Sequence, residues 1–173
     1  LANGIGAGIM IDGELYGGTS SNAGEIGHVS LDPSGPECSC GSRGCLERIA
    51  SPQHLVAAAV ADAPLAARLE LSGARDAIRT DFERIAFAAT RGDEGATQLI
   101  SRAAEYLAQA VVGLANALDP REVVLAGPAL ELVGDIYAST IREALAARFF
   151  MRPVHEVSVR LSGLGLDGAA LGA

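Results

Sequence analysis

The sequence predicts a helix-rich α/β fold. Hydrophobic residues fill 49% of the 173 positions, alanine supplies many of them and tryptophan is absent, a composition that suits close helix packing around one core. Between 94 and 118, Ala96, Leu99, Ile100, Ala103, Leu107, Ala110, Val111, Leu114 and Leu118 recur at the three-and-four spacing of a single helix face. Val123-Val124-Leu125-Ala126 is a short continuous apolar run, as a buried parallel strand requires, and Gly127-Pro128 turns it toward a further helix.

Each element has its own local signal. Ile9-Met10-Ile11 is an apolar strand run, Asp12-Gly13 signals a type I′ turn and Glu14-Leu15-Tyr16 returns, so a β-hairpin is expected from 5 to 16. Gly4, Gly6 and Gly8 alternate on its first strand and bare one backbone face, which a phosphate or a packed helix can approach. A flexible loop is expected over 17–23. After Cys45 the pattern becomes helical, with Ser51 at an N-cap, Pro52 at the first helical position, and Leu55, Val56, Ala59 and Val60 as the apolar face. Residues 61–80, broken by Pro64 and Gly73, read as short surface helices with Leu65, Leu69 and Leu71 inward. Thr80 is expected to cap a helix over 82–89, with Glu83 completing a capping box.

The longest helix is expected over 94–118. Gly113 inside it costs up to about 1 kcal/mol relative to alanine, so close packing there is expected to compensate. Asp119-Pro120 ends it. A helix over 130–147, a last strand over 154–161 and a small-residue helix over 167–171 complete the chain. Strand, glycine turn and helix around Gly127 form a common site for phosphates or adenine at the carboxyl end of a sheet; a plain connection is an equal reading. There is no internal repeat and no low-complexity linker.

The chemistry is concentrated between Gly24 and Glu47. All three cysteines, Cys38, Cys40 and Cys45, lie there within eight residues, with His28 ten residues upstream of Cys38. Cys3His is the ligand composition of a closed tetrahedral zinc site. Gly35, Gly41 and Gly44, with Pro33 and Pro36, allow the tight turns that would bring the sulfurs onto one ion. Buried structural thiols scatter through apolar segments, whereas these sit in a polar loop. An odd count, and the closeness of Cys38 to Cys40, argue against disulfides. On spacing alone, His54 and His155 compete with His28 as the fourth ligand. Glu25 and Glu47 flank the cluster and are not needed by it.

The formal net charge of −8 argues against nucleic acid binding by this chain itself. No apolar run reaches membrane-spanning length and no basic-then-apolar leader is present, and reduced thiols fit the cytoplasm. The opening at Leu1, directly into a glycine-rich strand pattern, is expected of a piece of a larger fold.

G-I-G-A-G-I-M-I-D-G, then A-G-E-I-G-H, then C-S-C-G-S-R-G-C-L-E, in that order and spacing, resemble the ROK family (repressors, open reading frames, sugar kinases). N-A-L-D-P-R-E-V-V-L-A-G and the terminal L-G-L-D-G-A-A-L-G-A look like the same family's closing segments. The resemblance covers nearly the whole chain and is weakest over 61–93. It implies the actin-like, sugar-kinase (ribonuclease H-like) fold, two lobes around a ligand cleft, with residues 1–173 forming most of the C-terminal lobe. It implies a structural zinc on His28, Cys38, Cys40 and Cys45, and sugar contacts from Glu25, His28 and Glu47. It also implies a nucleotide-phosphate approach at Gly4, Gly6 and Gly8, and an adenosine turn at Gly127.

The family's catalytic Asp and its D-x-G-x-T phosphate loop would lie upstream of this chain. Two positions depart from the kinase pattern: Asn3 stands where kinases keep threonine, and Pro128 where they keep glycine. On those departures the expected function is the sugar-sensing domain of a transcriptional regulator, which would reach DNA only through an N-terminal helix-turn-helix. The alternative is the C-terminal lobe of an ATP-dependent sugar kinase, which would use ATP and magnesium. Either is expected to be a cytoplasmic homo-oligomer, dimer or tetramer, with no membrane role.

Overall fold

The apolar stripe of residues 94–118 folds as the helix on which the other elements pack. The structure, a computed structural model, describes residues 4–163. In chain order its elements are β1 (Met10–Ile11), β2 (Glu14–Leu15), α1 (Leu46–Ala50), α2 (Pro52–Ala61), α3 (Ala63–Arg68), α4 (Ile78–Thr90), α5 (Glu94–Leu118), β3 (Glu122–Leu125), α6 (Gly134–Arg148) and β4 (Ser158–Leu161). Short 3-10 turns occur at Ile26–His28 and Pro128–Leu130.

Helix α5 packs on α6, α4 and α1. Its buried face is largely alanine, from Ala96 through Ala103, Ala104 and Ala108 to Ala115, with Ile100, Leu107 and Val111 between. Small side chains let neighbouring axes approach closely, and Tyr137 and Phe149 fill the remaining volume, each 1% exposed. The helix starts where Asp93 accepts a hydrogen bond from Ala96 N–H at 3.0 Å and a two-point contact from Arg68 at 2.8 and 3.1 Å. It ends at Asp119, whose left-handed conformation is followed by Pro120. Strands β3 and β4 pair in parallel, Glu122 with Ser158 through Leu125 with Leu161, across the α6 connection. No described helix is long and apolar enough to cross a membrane.

Several expectations need correction. The hairpin turn is where it was expected, with Asp12 and Gly13 both at positive φ, but pairing stops at Ile9 and Tyr16. Residues before Ile9 run instead beside the 24–28 segment, where Ala7 N–H donates to the Gly24 carbonyl at 2.8 Å. Helix α4 begins at Ile78, and neither Thr80 nor Glu83 caps it; Glu83 pairs with Arg79 at 2.8 Å. Asp81 moves the start: it is buried in the first turn and accepts from Ser72 N–H at 3.1 Å and Gly73 N–H at 2.7 Å, drawing the preceding loop onto the helix. Val124 is 43% exposed, because only the Leu125 and Val159 face of the parallel pair is covered among the described residues. Helix α6 starts at Gly134, after the 3-10 turn has used up Pro128–Leu130, and β4 begins only at Ser158. The helix expected over 167–171 lies outside the described residues.

Gly113 is exposed, and among the described residues nothing lies within 4 Å of where its Cβ would stand, so the compensating contact is not there. Gly113→Ala is therefore expected to stabilise the protein by up to about 1 kcal/mol. The measurement is urea unfolding: the midpoint rises at unchanged slope. A lowered midpoint would show that this position requires the small residue.

Candidate functional site

The cysteine loop is closed by its own backbone before any side chain is considered. Antiparallel bridges join Ser30 with Cys45 and Glu37 with Arg43. Inside them Cys38 N–H donates to the Ser42 carbonyl at 2.8 Å and Gly41 N–H to the Cys38 carbonyl at 3.0 Å. The tightest point is Gly44, with φ +60°, where a Cβ would stand 1.7 Å from the Asp32 carbonyl oxygen. Only glycine fits there.

This closure brings together the four predicted ligands, His28, Cys38, Cys40 and Cys45, with all four donor atoms within 4.8 Å of one another. Zinc bonded at about 2.3 Å to sulfur and about 2.05 Å to nitrogen separates its ligands by roughly 3.5–3.8 Å along the tetrahedral edges. Two opposite edges match: Cys38 Sγ to His28 Nδ1 is 3.5 Å and Cys40 Sγ to Cys45 Sγ is 3.6 Å. Hydrogen bonding from the Cys40 backbone, with His28 adding to it, lowers the Cys38 thiol to about 6, while burial pushes Cys45 up to about 12. A divalent cation reverses the cost of the buried thiolate by taking the proton's place. The donor set and its spacing fit such an ion.

The other two histidines are occupied elsewhere. The His54 ring lies between Arg48 Nη1 on its Nε2 and Ser51 Oγ on its Nδ1, the latter at 2.7 Å. Arginine only donates, so Nε2 accepts and Nδ1 carries the proton toward Ser51. Burial, then Arg48, push His54 below its ordinary value, which keeps it neutral. His155 Nε2 lies 2.8 Å from Asp119 Oδ1, and that contact raises its pKa.

The charges of both flanking carboxylates reach His28. Contact with the Cys38 sulfur raises the His28 pKa, and Glu47 and Glu25 both add to the shift through their charge. With Nδ1 turned to the sulfurs, Nε2 is the nitrogen left over. Glu25 is exposed just before the 3-10 turn, and Glu47 is half-buried in the first turn of α1, two residues after Cys45. The glycine-rich segment 4–8, which precedes β1, lies against this group. Ile5 N–H donates to Glu47 Oε2 at 3.2 Å, and Gly27 lets the Ile5 carbonyl come within 2.2 Å of where a Cβ would be. The sequence reading missed the part played by the Ile5 amide; the second glycine of G-E-I-G-H was its available signal. Gly6 faces the Gly24 carbonyl and Gly8 packs against Leu15, so the three glycines of this segment have three different neighbours.

Gly127 stands beside a different feature. A cavity of about 330 Å³ lies between α4 and the turn that follows β3, lined by Arg79, Phe82, Glu83 and Ala86 and by Pro128, Ala129, Glu131 and Leu132. A larger groove of about 800 Å³ runs along α5 past Arg102, Glu105 and Tyr106 to Arg148. Neither lining includes Glu25, His28 or Glu47.

The ROK family model matches residues 1–173. The N-acetylmannosamine kinase of Citrobacter koseri is 34% identical over 173 residues, which is 100% of this chain and 53% of that protein. The crystal structure of a ROK family glucokinase from Streptomyces griseus, in complex with glucose and AMPPNP, is 30% identical with a TM-score of 0.78, covering 99% of this chain and 56% of that one. A ROK family transcriptional regulator, a homolog of the E. coli MLC protein, superposes with a TM-score of 0.75 at 27% identity over 93% of this chain and 40% of its own. The chain spans about half the length of the curated relatives it matches. Those relatives carry the names glucokinase and N-acetylmannosamine kinase, which backs the kinase alternative better than the regulator reading. The fold is that of the actin-like ROK sugar kinases. Matched by its model from end to end, the chain belongs to the ROK family.

Proposed function

We propose that this chain is the sugar-recognising C-terminal lobe of an ATP-dependent ROK kinase, acting on a hexose or an N-acetylhexosamine, with a structural zinc held by His28, Cys38, Cys40 and Cys45. The observation that carries the reading is its match, over the whole chain, to kinases of those two substrate classes. The geometry supports it. Glu25 and Glu47 can accept charge-assisted hydrogen bonds from sugar hydroxyls, and His28, fixed through Nδ1, can offer Nε2 to another. Zinc supplies order to the loop and is assigned no reacting role. Gly4, Gly6 and Gly8 would bare backbone toward the nucleotide phosphates. The cavity beside Gly127 would take the adenine end, with Pro128 as an apolar wall.

The departures at Asn3 and Pro128 do not exclude phosphoryl transfer. An asparagine amide donates as a threonine hydroxyl does. They are nonetheless the observation that favours a second reading, the effector domain of a ROK regulator, which the regulator neighbour supports at the level of fold.

Metal analysis of protein purified without added metal is expected to find one zinc per chain, and Cys40→Ser to lower it sharply. Less than about a tenth of an equivalent in the unaltered, folded protein would sink the structural role. In the full-length protein that carries this chain, sugar binding is tested with glucose, N-acetylmannosamine and related hexoses. Glu47→Gln keeps size and removes charge, and is expected to weaken binding about tenfold or more. A coupled ADP-release assay over the same panel separates the two readings. Sugar-dependent release on the order of 1 per second or faster supports the kinase; sugar binding with no release promotes the regulator.

A further inference from the structure

We infer that Gly4 and the Ile5 backbone amide set the position of the Glu47 carboxylate, making the glycine-rich segment before β1 part of the sugar site. The inference rests on the sugar-site reading above and adds to it a positioning pair outside the carboxylate and histidine set.

Glu47 sits on a five-residue helix and is only half-buried, so its three side-chain torsions are not fixed by packing alone. Among the described residues its carboxylate is held by one hydrogen bond: Ile5 N–H donates to Oε2 at 3.2 Å. Ile5 is itself buried, 5% exposed, so the donor is anchored in the core. With Oε2 held by this segment, Oε1 is the oxygen left to meet a ligand hydroxyl. Gly4 makes the arrangement possible. A Cβ there would stand 2.6 Å from Glu47 Oε2 and 3.5 Å from Cδ, with nothing else within 4 Å among the described residues beyond its chain neighbours. The atom that must yield is the end of a flexible side chain, not backbone. An alanine at position 4 therefore moves the carboxylate and leaves the fold in place. Gly27 differs: a Cβ there meets the Ile5 carbonyl at 2.2 Å, and the backbone itself would have to shift.

The test is a double-mutant cycle in the full-length protein, with affinity measured calorimetrically for whichever panel sugar the unaltered protein binds most tightly. Gly4→Ala is expected to weaken sugar binding about tenfold, the loss of roughly one charge-assisted hydrogen bond, at unchanged zinc content and urea midpoint. In a Glu47→Ala background, where no carboxylate remains to displace, Gly4→Ala is expected to change affinity by less than about twofold. Full additivity in the cycle overturns the inference. So does a Gly4→Ala protein that binds within about twofold of the unaltered one, or one that loses zinc or stability along with affinity. If the unaltered protein binds no sugar of the panel, the sugar-site reading itself falls and takes this inference with it.

Discussion

Leu46 is fully buried, and its chain neighbours are Cys45 on one side and Glu47 on the other. That burial is the constraint on which the site depends. Helix α1 is too short to persist alone; it is held because Leu46 and Ala50 join the core that α5 organises. Burying a leucine contributes about 1.5–3 kcal/mol. Here it also fixes where the backbone of the neighbouring residues points. Cys45 becomes the buried sulfur of the cluster, and Glu47 emerges in the first helical turn facing the glycine-rich segment. The Leu46 amide donates to the Val29 carbonyl at 3.0 Å, one residue from His28, so the same anchor sets the histidine's segment.

Two kinds of chemistry are thereby separated by very little chain. The sulfurs turn inward to a closed set of four donors, and the carboxylates are left outside it. Burial and hydrogen bonding oppose each other within the loop: burial makes Cys45 costly to ionise, while the amide hydrogen bond makes Cys38 easy to ionise. A cation satisfies both. In the proposed reading, metal would order the loop and hydrogen bonding to a sugar would fall to Glu25, Glu47 and the second nitrogen of His28. It is compatible with either a kinase or a sensor, since both must recognise a sugar before anything else follows. The curated relatives tilt the choice toward the kinase, and Asn3 and Pro128 are the positions where the chain leaves that pattern.

Glycine has unequal meanings along this chain. At Gly44 and Gly27 it is required by backbone, because a Cβ would overlap a carbonyl oxygen. At Gly4 it makes room for a side chain. At Gly113 it meets nothing among the described residues. The sequence shows the same letter in each case.

What the sequence determined by itself was local. The bounds of α5 follow from apolar period and end signals, the Asp12-Gly13 turn from the φ preference of its two residues, and the candidate sulfur donors from thiol chemistry clustered in one loop. Each depends on residues within a few positions of one another. Tertiary structure decided the rest. It brought the His28 ring to the sulfurs, as the family resemblance implies and spacing alone left open, while Ser51 with Arg48, and Asp119, occupy the other two imidazoles. It moved the start of α4 because Asp81 reaches back to Ser72 and Gly73. It laid the glycine-rich segment on Glu47 through a hydrogen bond between residues 42 positions apart. Such contacts depend on how separate elements pack, and neither periodicity nor motif spacing carries that information.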